Sequence, residues 1–540
     1  MGMYLNPGSA AFLEALNSEI YVDKTGLIAE TNALIGTKQK YVCVSRPRRF
    51  GKTTALDMLA AYYDRTQDAR EVFAGYEIAA SESFETHRNR YDVLQINMIH
   101  FFTGKKEVGE ALAVLEKTIL REIRREYECL DNETEWTLAS CMNEIFAVHQ
   151  RRFIVIIDEW DCIFREYPQD KEGQTLYLDY LRNWMKDKSC IALAYMTGIL
   201  PIKKYGKHSA LNMFDEYAMT GAFQFARFTG FTGEEVEGFS KKYNMSFTAF
   251  QAWYDGYLLQ DTIPPGEREK YARGEYQPKT WHIYSPLSVV RALRTGYVQN
   301  YWNKTETFEA LKVYIEMNFD GLRDAVIELI AGGRRKVETE SFQNDMTTFV
   351  TADDVLTLLV HIGYLGYDSL TEEVFIPNKE VSDEFVNATR TGNWEEIRRA
   401  ISASEKLLAD TLAGDADAVS AAIENAHLET SHLQYNDENA LSYTIALAYY
   451  SAKQYYRTVR ELPSGKGFAD MVFLPLPRFA ESHPAMVVEL KWDDTADTAI
   501  RQIKNKQYTK ALEGYAGKIR LVGIGYDKQT RKHSCVIEEG

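Results

Sequence analysis

Tyr41-Val42-Cys43-Val44-Ser45-Arg46-Pro47-Arg48-Arg49-Phe50-Gly51-Lys52-Thr53-Thr54 changes character twice. Tyr41 to Val44 is an unbroken apolar run, the pattern of a parallel strand buried on both faces. Gly51-Lys52-Thr53 closes the loop that follows, and Thr54-Ala55-Leu56-Asp57-Met58-Leu59-Ala60 begins a helix. Strand, loop and helix in this order cradle phosphate, because the free N–H groups and the dipole of a helix N-terminus both favour an anion. Lys52 is placed to reach the β- and γ-phosphates of a nucleotide, and the Thr53 hydroxyl to ligate Mg²⁺. Arg49, Phe50, Gly51 and Thr54 complete the binding loop. The first glycine of the general GxxxxGK[ST] pattern falls at Arg46, so the loop departs from that pattern once.

A second stretch supplies the acid that such a loop needs. Phe153-Ile154-Val155-Ile156-Ile157 reads as another strand buried on both faces, and Asp158-Glu159 stands at its C-terminal end. Open α/β sheets hold ligands at that end. Asp158 is placed to hold the Mg²⁺ shell and Glu159 to orient or deprotonate the attacking water, with Asp161 the next candidate base. Asp92 to Met98 and Cys190 to Gly198 read as two further strands. Thr197, at the end of the latter, is either a sensor of the γ-phosphate or a simple strand terminator. Glu107 to Leu130 reads as a long amphipathic helix, with Val108, Leu112, Val114, Leu115, Ile119, Leu120 and Ile123 on its apolar side. Strands alternating with helices predict a doubly wound parallel sheet.

Arg46-Pro47-Arg48-Arg49-Phe50-Gly51-Lys52-Thr53 resembles the variant Walker A of the bacterial AAA-ATPase-like family, in which the missing glycine is tolerated. Tyr21-Val22-Asp23-Lys24-Thr25, Thr197-Gly198-Ile199-Leu200 and Trp253-Tyr254-Asp255-Gly256-Tyr257 are similar to stretches of the same family. The resemblance implies ATP and Mg²⁺ as cofactors and ATP hydrolysis as the activity. It also implies a C-terminal PD-(D/E)XK nuclease-like domain.

The C-terminal residues carry their own pattern. Asp470 begins one expected strand, and Met486-Val487-Val488-Glu489-Leu490-Lys491 forms another. Side chains repeat every two residues along a strand, so Glu489 and Lys491 share a face that Asp470 can join from the neighbouring strand. Two carboxylates and a lysine around one point suit a Mg²⁺ site with a cation beside it. Asp470 and then Glu489-Leu490-Lys491 resemble the PD-(D/E)XK nuclease superfamily. That likeness makes Glu438 an accessory acid, Gln502 and Tyr508 the Gln…Tyr pair of the following helix, and Asp470, Glu489 and Lys491 the catalytic set.

The 540 residues accommodate two to four domains. With 45% hydrophobic and 26% charged residues the composition is that of a soluble globular chain. A net charge of -16 disfavours a surface covered in nucleic-acid-binding cations, though not a local basic groove. Six scattered cysteines show neither metal-ligand spacing nor a disulfide framework. No apolar run approaches the ~18 residues of a membrane span, and the cytoplasm is the expected setting.

The expected architecture is α/β in four parts. A P-loop AAA-ATPase-like parallel sheet occupies residues 1–225, a helical lid 226–300, a helical and winged-helix-like middle region 301–390, and a PD-(D/E)XK nuclease-like domain 391–540. Thr232 with Glu235 predicts a capping box at the start of the lid. In the middle region, Asp353 to Leu359 is an expected helix, Gly363 to Tyr367 and Val374 to Asn378 are expected paired strands, and 378–393 an expected connector. That module is read as packing or meeting a partner in preference to binding DNA. Expected partners are ATP and, at the C-terminal domain, nucleic acid. Whether the chain forms a homo-oligomer stays open, since an arginine finger from a neighbouring copy can be almost any exposed Arg. Two functions fit: an ATPase coupled to a Mg-dependent nuclease, or a nucleotide-dependent switch or scaffold that binds without cutting.

Replacing Lys52 by Ala removes the cation expected beside the terminal phosphates. ATP affinity should fall at least about tenfold, roughly 1.4 kcal/mol. Titration calorimetry that finds ATP binding unchanged refutes the phosphate-loop reading.

Overall fold

In the computed structural model the chain folds into two compact units, one of residues 1–306 with 336–381 and one of 307–335 with 382–540. The structure describes residues 2–130, 135–202, 211–302, 308–317, 319–343, 346–389, 394–429, 444–464, 467–476, 479–480, 482–506 and 518–540. The expected middle region 301–390 is thus shared between the two units.

Five parallel strands form the centre of the first unit: β1 (Tyr41–Ser45), β2 (Asp92–Asn97), β3 (Phe153–Asp158), β4 (Ile191–Gly198) and β5 (Asp215–Tyr217). Their order in the sheet is β2-β3-β4-β1-β5. The strand that ends at Thr197 therefore lies between the loop strand β1 and the acidic strand β3. Every residue of β1, β3 and β4 is buried, as helices on both faces require. The helix Val108–Glu126 buries Val108, Ala111, Leu112, Leu115, Ile119, Leu120 and Ile123. Val114, expected on that face, is instead 38% exposed. It follows Leu112 by two residues, which turns it about 200° around a 3.6-residue helix.

Arg46 explains the departure from the glycine pattern. Its side chain is fully buried. Nε donates to Thr229 Oγ1 at 2.9 Å, Nη1 to the Ser45 and Tyr217 carbonyls at 2.8 and 2.7 Å, and Nη2 to the Phe225 carbonyl at 3.2 Å. Burial pulls this guanidinium down to about 10, so it stays charged at neutral pH. The arginine thereby ties the loop strand to β5 and to the turn that leads into the lid.

The lid begins at a capping box, Thr232 with Glu235, on the helix Gly233–Lys242. Besides its helices it carries a small antiparallel sheet of Phe231–Thr232, Tyr257–Gln260 and Thr280–Tyr284. Tyr254, Tyr257 and Tyr284 are buried packing residues. Tyr257 meets the Phe50 ring edge-on at 5.2 Å and donates to the Gly363 carbonyl at 2.7 Å. The helix Ala352–His361 and the hairpin Gly366–Asp368 with Glu373–Phe375 form the winged part of the same unit. The expected connector contains a helix, Lys379–Ala388. Val381, Phe385 and Ala388 are buried on it, and their spacing of four and three is the helical signal that a connector lacks.

The second unit contains the helices Glu395–Ala413 and Ala416–Glu429 and a five-stranded mixed sheet. Its strands are Tyr456–Ser464, Gly467–Pro475, Ala485–Trp492, Ile519–Asp527 and Lys532–Glu539, in that spatial order. Of the described pairings among these five strands, only Ala485–Trp492 with Ile519–Asp527 is parallel, and the helix Ala496–Asn505 lies between them in the chain. Asp470 is the fourth residue of its strand, not the first, because pairing with the preceding strand extends back to Gly467.

Substituting Arg46 by Gly restores the general loop pattern yet orphans the Tyr217 and Phe225 carbonyls and leaves a hole. We expect a loss of about 3 kcal/mol or more in denaturant unfolding of the first unit. Equal stability of the variant refutes this structural role.

Candidate functional site

The loop after β1 turns through left-handed conformations at Arg49 (φ 67°) and Gly51 (φ 81°), and Gly51 is the N-cap of the helix Lys52–Tyr63. A side chain at Gly51 would meet nothing, so backbone conformation alone selects glycine there. Lys52 is buried, and its ammonium donates to the Arg46 and Pro47 carbonyls at 3.1 and 3.0 Å. Burial lowers its pKa, and the Glu159, Asp158 and Asp161 carboxylates oppose that shift.

Asp158 gathers three elements. Its Oδ2 accepts the Thr53 hydroxyl at 2.8 Å, and its Oδ1 accepts the Thr197 hydroxyl at 2.7 Å and the Glu159 N–H at 3.0 Å. The loop helix, the acidic strand and the strand between them thus converge on one carboxylate. This is a set of hard oxygen donors at a helix N-terminus, which fits a divalent cation beside a phosphate. Thr54 lies on the exposed start of the helix, and Phe50 is buried behind the loop.

Glu159 takes a left-handed conformation, φ 52°, and ion-pairs with Arg165 through Oε2. The other arm of Arg165 donates to Asp161 Oδ2 at 2.9 Å. That same oxygen accepts the Ile199 and Leu200 N–H groups at 3.0 and 2.9 Å. Asp161 is fully buried as a brace for the turn after β4, a position unsuited to a catalytic base. A Cβ at Gly198 would stand 2.7 Å from Asp161 Oδ1, so this approach accounts for the glycine of Thr197-Gly198-Ile199-Leu200. Sequence reading missed Arg165. Its signal was a basic residue four positions after Asp161 on a short helix, Cys162–Glu166.

Beside the loop lies a largely apolar cavity of about 210 Å³. Tyr21, Val22 and Lys24 line it from one side, and Gly51, Thr54 and Met58 from the other. Asp23 builds the turn between them: it accepts the Thr25 N–H and hydroxyl at 2.8 and 2.7 Å and the Glu77 N–H at 2.7 Å. Lys24 is bound to the capping-box residue Glu235 at 2.8 Å, which fixes the lid beside the cavity.

In the second unit, Met471 pairs with Val488. Continuing that antiparallel register sets Asp470 opposite Glu489, and directly opposed residues share a face. The Asp470 carboxylate accepts the Leu490 N–H at 2.7 Å. Glu489 is buried; its Oε1 accepts from Lys491 Nζ at 3.1 Å and from Gln502 Nε2, while its Oε2 has no partner among the described residues. Burial, reinforced by Asp470, pushes Glu489 up to about 7 against the pull of Lys491. An orphaned carboxylate oxygen beside a second carboxylate fits a hard cation, which would supply the missing partner. Among the described residues, no group of three or more His, Cys, Asp or Glu side chains could hold a metal. Glu438 and Tyr508 lie outside the described residues.

Residues 12–207 match the family model of a predicted AAA-ATPase, and residues 437–535 match that of the PD-(D/E)XK nuclease superfamily. An uncharacterized protein in the vnfD 5′ region of Azotobacter chroococcum mcd 1 is 27% identical over 300 residues, which are 53% of this chain and 51% of that protein. The chain spans about half the length of this curated relative. Among solved structures, the Aeropyrum pernix ORC2 protein in its ADPNP–ADP complexes aligns at 11% identity and a TM-score of 0.27, over 71% of this chain and 99% of that one. No helix among the described residues is long and apolar enough to cross a membrane.

The raised Glu489 makes the second unit sensitive to pH. A carboxyl that holds its proton more tightly folded than unfolded adds stability that is complete below about 4.5 and lost as pH rises through about 7. Glu489→Gln should therefore melt higher than the parent at pH ~8, with the gap closing toward pH ~5. Mg²⁺ should stabilise the parent at pH ~8 far more than the variant. Parallel melting curves across that range refute the assignment.

Proposed function

We propose, for a chain that joins an AAA-ATPase-like domain to a PD-(D/E)XK nuclease-superfamily domain, that it hydrolyses ATP in the first and acts on nucleic-acid phosphodiesters with Mg²⁺ in the second. The observation that carries the first half is the Thr53–Asp158–Thr197 convergence next to Lys52. Lys52 would exchange its two loop carbonyls for phosphate oxygens. Thr53 and Asp158 would hold Mg²⁺, which when bound neutralises charge on the phosphates. Thr197 would report the γ-phosphate through its bond to Asp158. Glu159 would take a proton from the attacking water at Oε1, since Arg165 occupies Oε2. The cavity between Tyr21–Lys24 and the loop is apolar enough to seat the base.

In the second domain, Asp470 and Glu489 would share the cation, which when bound activates water and stabilises charge on the phosphoryl group. Lys491 and Gln502 hold one oxygen of Glu489 and so aim the other. The cation would favour the ionised Glu489, so metal binding should strengthen as pH rises through about 7. The competing function is a nucleotide-dependent switch or scaffold with no cleavage.

Two substitutions separate these readings. Glu159→Gln should still bind Mg-ATP while turnover falls by about 10² or more; equal turnover would place the base elsewhere. Asp470→Ala should abolish Mg²⁺- or Mn²⁺-dependent plasmid nicking and leave ATP turnover intact. A parent that nicks neither DNA nor RNA with either metal leaves the switch or scaffold as the function.

A further inference from the structure

Parallel strands all begin at one edge of a sheet, so residues just before adjacent strands line up there. Lys40 immediately precedes β1, Arg152 immediately precedes β3, and Lys188 lies three residues before β4. β1, β4 and β3 are neighbours, and strands stand roughly 4.8 Å apart. Lys38 joins these three from the turn before β1. All four line one concavity of about 500 Å³, together with Asp187 and Ser189. The nucleotide loop stands at the opposite, C-terminal edge of the same strands.

None of the four cations is ion-paired among the described residues. Lys38 and Arg152 are exposed, and Lys40 and Lys188 half-buried. Lys40 is fixed by the Lys188 and Ile191 carbonyls at 2.8 and 2.9 Å. Its pKa is lowered by burial first; Cys190 and then Asp187 oppose that shift, while the charges of Arg152 and Lys38 add to it. Cations near helix C-termini answer the helix dipole, and Arg152 follows the helix Leu138–His149 as Lys188 follows Lys171–Met185. That accounts for either residue singly. It does not account for both converging with Lys38 and Lys40 on one cavity of a chain whose net charge is -16.

We propose that this edge is a cleft for the sugar–phosphate backbone of a nucleic acid, built into the ATPase unit and independent of cleavage at Asp470 and Glu489. The cations form a row across three strands, which suits successive phosphates better than a single anion. Lysines meet phosphate as point charges and need no base readout, so binding should be insensitive to sequence and steeply salt-dependent.

The test uses the full chain with saturating ADP, so that the nucleotide loop is filled, and the anisotropy of a labelled duplex DNA. Lys38→Gln with Arg152→Gln should weaken binding at least about tenfold. It should also flatten the slope of log K against log salt by about 2, near 0.9 for each phosphate that the variant no longer neutralises. The same loss should appear in an Asp470→Ala background, which separates this cleft from the C-terminal site. Lys241→Gln with Lys270→Gln, the same charge change elsewhere on the unit, should leave affinity within about twofold. ATP turnover should be unchanged throughout. DNA affinity and salt slope equal to the parent's overturn the proposal. Loss of tripolyphosphate binding without loss of DNA binding overturns it too, and assigns the cleft to a small polyphosphate.

Discussion

The first unit depends on a single carboxylate that three elements share. Asp158 is buried, and buried carboxylates are tolerated where hydrogen bonds replace water. The Thr53 and Thr197 hydroxyls and the Glu159 N–H do so here. Each donor comes from a different place: the helix after the loop, the strand between β1 and β3, and the turn that Asp158 itself begins. Insertion of β4 between β1 and β3 makes this geometry available. Were β1 and β3 adjacent, Thr197 could not stand between the loop and the acid.

That constraint propagates outward through strained backbone. Arg49, Gly51 and Glu159 all occupy left-handed conformations around the same point. Non-glycine residues hold such conformations only where their surroundings over-determine them. Arg46 does this for the loop by reaching β5 and the segment beyond it. Arg165 does it for Glu159, by spanning to Asp161 and through Asp161 to the turn after β4. The position of Glu159 is therefore tied to the strand that carries Thr197 by two routes, one through Asp158 and one through Arg165.

What was legible in the sequence was whatever a local pattern carries. The apolar runs of β1, β3 and β4, the acid at the end of β3 and the Glu489-Leu490-Lys491 alternation all declare themselves within a few residues. Arg46 did not, because its partners Tyr217, Phe225 and Thr229 lie 171 to 183 positions away. Read locally, it is a basic loop residue; folded, it is a core residue. Arg165 was legible locally, four positions after Asp161, but its second partner Glu159, which holds a positive φ, was not. The helix Lys379–Ala388 was legible and overlooked: Val381, Phe385 and Ala388 have helical spacing.

The two acidic centres show why residue type alone does not fix chemistry. Asp158 ends β3 and Glu489 lies within the strand Ala485–Trp492, and both are buried. Asp158 has donors on both oxygens. Glu489 has Lys491 and Gln502 on one oxygen, no partner among the described residues on the other, and a second carboxylate nearby. The first arrangement satisfies a charge within the protein. The second leaves a charge partly unsatisfied, and the carboxyl answers by holding its proton up to about 7. A divalent cation, as proposed for this site, would relieve that imbalance more completely than a proton does, because it would engage Asp470 and Glu489 together. On that proposal, protonation and metal binding at Glu489 would be competing solutions to one electrostatic problem, which the antiparallel pairing of the Asp470 and Glu489 strands creates.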